Sequence, residues 1–247
     1  MLHWKGGSTM STHALDSHVP RLLRIPKAAG QQLRWLGAGF TLGFLVPYVF
    51  ADLLDTPRDL YYGIYAVAVV AFFTLWARAS GEQVGDLITR RWPVALALGL
   101  VCAALLVVIV LRTEDATPRP EGLALVGAIT WRGIVYGVAD GLLLSAFPIL
   151  AVFSAFKGTH FRARLTGKVV IGLAAVVASL AMTATYHLGY SDFRSEKVQN
   201  PLKGDVIWSA PTLLTLNPIG APIAHAGLHV SAVVHSYETD LFLPPHH

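Results

Sequence analysis

Three histidines stand in stretches otherwise suited to hydrocarbon: His187 in TATYHLG, and His225 and His229 in NPIGAPIAHAGLHVSAVVH. Residues four apart on a helix project from one face, so His225 and His229 can hold one metal ion, or one water, between their rings. Two more ionisable groups sit in apolar runs, Arg132 in TWRGIVYG and Asp140 in GVADGLLLS. Such groups are costly in lipid and mark function by default. His187, His225 and His229 together offer a metal three neutral nitrogens and leave a coordination position open, the arrangement of a catalytic zinc. Asp140 is then a fourth ligand or the base. The same histidines are equally suited to ligating haem, to hydrogen-bonding a quinone, or to helix packing alone. Arg132 lies about 80° around a 3.6-residue helix from Asp140, which does not favour their pairing.

The elements that must position these groups are membrane helices. Of 247 residues, 54% are hydrophobic and only 14% charged, against roughly 25% charged in a soluble domain, and the mean hydropathy is +0.54. Apolar runs fall near Trp35–Phe50, Leu60–Ala77, Pro93–Leu111, Gly122–Phe156, Val169–His187 and Val206–Val234. A hydrocarbon core of about 30 Å needs about 20 helical residues, so the first three runs and the fifth read as single passes. Gly122–Phe156 is long for one pass and short for two, with Pro148 expected to kink it. Val206–Val234 contains Pro211, Asn217-Pro218, Gly220 and Pro222, and reads as broken or re-entrant, a form tolerated only under cover of protein or trapped water. The fold expected is an all-α polytopic bundle of about six membrane segments. A single domain, 32–237, lies between a basic N-terminal segment, 1–31, and a short tail, 238–247.

Loop charge sets the expected orientation. Lys5, Arg21, Arg24, Lys27 and Arg34 precede or open the first run, Arg78, Arg90 and Arg91 follow the second, and Lys157, Arg162, Arg164 and Lys168 precede the fifth. The N-terminus and these loops are therefore expected on the cytoplasmic side of the cell membrane. The N-terminal segment lacks the apolar core and cleavage site of a secretory signal. The lone Cys102 excludes an internal disulfide and a thiolate cluster, and the net charge of +4, spent on these loops, gives no reason to expect nucleic-acid binding. Tyr61, Tyr62 and Tyr65, with Trp35, Trp76 and Trp92, read as interfacial belts. Gly37, Gly39 and Gly43 read as a close helix contact, and the glycines beside Asp140 as a second.

In order and type the motifs GAITWRGIVYG, TATYHLG and NPIGAPIAHAGLH resemble those of the CAAX-protease and bacteriocin-processing (CPBP) intramembrane proteases. In that family a glutamate pair and arginine-glycine precede a histidine ending one helix and a second in a proline-rich segment. The resemblance covers 127–235 and implies that Arg132, His187 and His225 are site residues. It departs where Gly127 and Ala128 stand in place of the glutamates, Thr183 in place of an aromatic, and His229 in place of asparagine or aspartate. A glutamate activates water in the family, with histidines holding that water and stabilising the oxyanion. Three expectations follow: Asp140 supplies the missing carboxylate, the histidines bind a divalent metal such as zinc that acidifies water, or the chain is an inactive relative that binds a partner rather than cutting. The first two imply a membrane-associated peptide substrate, with the lipid bilayer as solvent.

Overall fold

Every apolar run becomes helix in the computed structural model, which describes residues 27–239 and 241–244; the expectations for the segment before residue 27 lie outside it. Helix α1 (Lys27–Val46) runs on through a π-helical stretch, Pro47–Leu53, and is followed by α2 (Arg58–Ala79), a short α3 (Val84–Thr89) and α4 (Trp92–Thr113). Helix α5 (Gly122–Ala155) is followed by one turn at His160–Ala163 and α6 (Leu165–Leu188). The chain then folds α7 (Gln199–Thr215) and α8 (Gly220–His235). The protein is an all-α bundle, and α1 with its extension, α2, α4, α5 and α6 are each long and apolar enough to cross a membrane. Val67, Leu100, Leu105, Leu173 and Val177, each more than half exposed, give these helices the apolar outer surface that a lipid solvent requires.

The last apolar region is interrupted where the proline spacing places it. Helix α7 ends at Thr215, Leu216 is left-handed with φ 55°, and α8 starts at Gly220. The turn reverses the chain, so α7 and α8 form a helical hairpin in place of one crossing. With 17 and 16 residues, each arm is about 25 Å long at a rise of 1.5 Å per residue. The hairpin tip is capped at the end of the bundle that carries Arg90. The Asn217 side-chain amide donates to the carbonyls of Ile88, at 2.8 Å, and Arg90, and its Oδ1 accepts from the Ile219 amide at 2.8 Å. Thr212 Oγ1 donates to the Asn217 carbonyl at 3.0 Å. The Asn217 carbonyl at the break is thus tied into this turn.

Helix α5 stays continuous over 34 residues by loosening into π-helix at Ile129–Val135 and Gly141–Ala146. The second loosening comes just before Pro148, whose ring has no N–H for the carbonyl of Leu144. Ser179 of α6 donates to that carbonyl at 2.9 Å, so the acceptor lost within one helix is satisfied by its neighbour. Along the other side of α5, Gly133, Gly137 and Gly141 form a groove for α8. A Cβ on Gly133 would lie 2.6 Å from Val230 Cγ2, one on Gly137 2.7 Å from Ala226 Cα, and one on Gly141 would strike Pro222. Close backbone approach of this kind replaces the missing hydrophobic drive for association in lipid. Gly39 instead makes room for the Phe147 ring, Gly43 makes ordinary contact with Met182, and Gly37 meets nothing.

Two aromatic expectations are corrected. Tyr61, Tyr62, Tyr65 and Trp76 are fully buried, not interfacial, since Trp76 donates to Gln32 of α1 at 2.8 Å and the tyrosines pack on one another and on Tyr136 and Tyr186. Trp92, half exposed, keeps a surface position.

Candidate functional site

The groove places Asp140, the residue before Gly141, against the histidine face of α8. His229 Nε2 lies 3.1 Å from Asp140 Oδ2, and His229 Nδ1 lies 2.6 Å from the carbonyl of Phe242 in the C-terminal segment. A carbonyl only accepts, so Nδ1 carries a proton. His225, one turn earlier on α8, has its ring centroid 6.1 Å from that of His229. Its ring packs on Trp208 of α7 at 4.4 Å, and the Trp208 indole donates to Asp205 at 2.8 Å. All three site residues are buried. One ligand atom from each of Asp140, His225 and His229 falls within 4.8 Å of the others.

Both nitrogens of His225 have no hydrogen-bond partner among the described residues, nor has Asp140 Oδ1, although the Tyr65 hydroxyl, likewise unpartnered, stands beside Asp140. A buried imidazole with neither nitrogen satisfied loses several kcal/mol relative to water. One metal ion among the three residues would remove most of that loss. The partners beyond the ligands fit the same end, because a ligating imidazole characteristically donates its other N–H to a carbonyl, as His229 does to Phe242. Two imidazoles and one carboxylate, with positions left open, suit zinc or another first-row divalent ion.

His187 lines the same cavity from the end of α6 but stands outside the close group of Asp140, His225 and His229. Its Nδ1 donates to the Thr183 carbonyl at 2.8 Å, leaving the Nε2 lone pair free for a proton. Of the expected ligands, the structure brings His225 and His229 together with Asp140, while His187 lines the same cavity at a greater remove. Arg132 is not in the group either. It makes a two-pronged ion pair with Asp59 at the start of α2, at 2.7 and 2.8 Å, and its guanidinium covers the Tyr237 ring. There it ties α5 to α2 and to the C-terminal segment.

The cavity has a volume of about 480 Å³. Leu106 and Ile109 of α4, Ile207 and Trp208 of α7, and Phe242 form apolar walls, while Glu114, Asn200 and Lys203 stand at its mouth. A more polar antechamber of about 490 Å³ shares Glu114 and Asn200 with it. The segment set apart as a tail closes one side: Leu241, Phe242 and Pro244 line the cavity, and Thr239 bonds Glu114 at 2.7 Å.

On the far side of Asp140, phenols replace water. Tyr136 packs edge-on against His229 at 4.8 Å. Its hydroxyl meets that of Tyr186 at 2.6 Å, and Tyr186, Tyr190 and Tyr61 bond one another at 2.6 to 3.2 Å. Four hydroxyl protons serve these four contacts, so the network is satisfied.

Phe242, Trp208 and Asp205 were missed in the sequence. A backbone acceptor leaves no residue-type signature, and Asp205 stands one residue outside its apolar run. The spacing of Asp205, Trp208 and Ser209 along one helix face was the available signal. Comparison with known proteins returned no match to a family model, a curated protein or a solved structure.

Proposed function

We propose that this integral membrane protein is a metal-dependent hydrolase whose single divalent ion, zinc as first choice, is held by Asp140, His225 and His229. The observation that carries the reading is the convergence of three buried ligand atoms within 4.8 Å, among residues that hold unpartnered donors and acceptors. A zinc ion so held would lower the pKa of bound water to about 7 and polarise a carbonyl. His187 Nε2, on the same cavity, is the group to carry the proton from that water to the leaving atom. The apolar walls suit a membrane-borne acyl substrate, a peptide in the terms of the CPBP resemblance. Support for that resemblance is that His187 and His225 share one cavity; in this reading Asp140 and the metal replace the absent glutamates. The basic ends of the helices face the cytoplasm, and the cavity mouth faces the opposite side.

The test is metal content. Purified protein should retain about one zinc ion per chain, lose it in His225→Ala and Asp140→Ala, and keep it in His187→Ala while losing peptidase activity. Failure to bind zinc, iron or cobalt, or activity undiminished in both His187→Ala and His225→Ala, would sink the proposal.

A further inference from the structure

Asp205 of α7 is completely buried together with Ser145, Ser179, Thr183 and Ser209. Its Oδ1 lies 3.0 Å from Ser179 Oγ, 3.1 Å from Thr183 Oγ1 and 3.0 Å from Ser209 Oγ. Ser179 Oγ also lies 2.9 Å from the Leu144 carbonyl freed by Pro148 and 2.8 Å from Ser209 Oγ, which lies 2.9 Å from Ser145 Oγ. These six contacts have only four hydroxyl protons to fill them, one per serine or threonine. Two pairs of oxygens therefore face each other with no proton between them. Among the described residues Asp205 takes part in none of the ion pairs, and its Oδ2 has no hydrogen-bond partner.

We infer that Asp205, the hydroxyls of Ser145, Ser179, Thr183 and Ser209, and the Leu144 carbonyl form a binding site for one sodium ion. All the ligands are oxygens, the chemistry of a hard cation, and they bring a single negative charge, which matches a monovalent ion rather than calcium or magnesium. A buried carboxylate without a counter-charge costs far more than a paired one. Protonating Asp205 is the competing remedy, but a proton on Oδ2 would have no acceptor, and one on Oδ1 would still leave an oxygen pair unserved. The oxygens crowd to 3.1 Å or less, which favours sodium over the larger potassium. The Leu144 carbonyl, left without a donor in its own helix by Pro148, is a further oxygen for such an ion. The site lies beside the metal cluster, joined to it through Trp208, whose indole donates to Asp205 Oδ1 at 2.8 Å and whose ring packs on His225, and it does not require the proposed hydrolysis.

The experiment is thermal unfolding of the full chain in detergent, in NaCl, KCl or choline chloride at one ionic strength. A ligand bound only by the folded state raises the midpoint in a saturable way, so sodium should add several degrees over choline, and potassium much less. Asp205→Asn should abolish the response. Should that variant fail to fold, Ser145→Ala and Ser209→Ala should each raise the half-saturating sodium concentration several-fold. Equal midpoints in NaCl and choline chloride, a potassium response matching sodium's, or a response untouched by these substitutions would overturn the assignment.

Discussion

His229 Nε2 and Asp140 Oδ2 lie 3.1 Å apart, and because the other nitrogen of the ring donates to Phe242, a proton lies between them in the metal-free protein. It resides either on the imidazole or on the carboxyl group. A metal ion takes both lone pairs and displaces that proton. Zinc titration near neutral pH should therefore release at least one proton per ion, read by calorimetry in two buffers of different ionisation enthalpy. Affinity should fall as the pH is lowered, because protons compete for the same lone pairs. Zinc uptake without proton release would show that no shared proton exists.

The groove on α5 should tolerate no side chain. Gly137→Ala and Gly141→Ala bring a methyl group onto the backbone of α8, where nothing flexible can yield, and each should cost more than the roughly 1–3 kcal/mol of ordinary overpacking. Both should also weaken zinc binding by parting Asp140 from His229. Gly127→Ala, which meets open space, is the control and should change stability by less than about 0.5 kcal/mol. Equal unfolding midpoints for all three variants would contradict the packing described.

Ending the chain after Glu238 removes the Phe242 carbonyl from His229 without touching a ligand. Loss of such an outer partner typically lowers metal affinity about 10–100-fold. Zinc competition measurements should show that drop, with helix content by circular dichroism preserved. Unchanged affinity would make the segment a cover and nothing more.

Because α7 and α8 form a hairpin, Arg164 and Glu238 stand at opposite ends of the bundle. In a Cys102→Ser background, single cysteines at these positions should react with an impermeant reagent from opposite sides, Arg164→Cys from the cytoplasm. Labelling of both from one side would exclude the hairpin as a full crossing.

The membrane class, the break at Asn217-Pro218 and the shared face of His225 and His229 were legible in the sequence, because each follows from local chemistry: run length, a missing amide, and helical period. What stayed hidden depended on tertiary placement. Whether the break made a bend or a reversal turned on the bonds from Asn217 to Ile88 and Arg90, more than a hundred residues away. Arg132 drew attention as a charge in an apolar run, and its partner Asp59 lay in what reads as an ordinary loop. Asp140 reads in the sequence as a fourth ligand or the base, but its place against His225 and His229 rests on the groove that Gly137 and Gly141 open.

That groove repeats every four residues, at Gly133, Gly137 and Gly141, and so does the ridge it receives, Val230, Ala226 and Pro222. The two histidines of α8 keep the same interval. Each glycine thus receives one residue of the ridge, and the shared interval sets His225 and His229 at a fixed offset from Asp140. Two anchors hold this register, Asn217 at one end of the bundle and the bond from His235 to the Glu114 carbonyl, 3.0 Å, at the other.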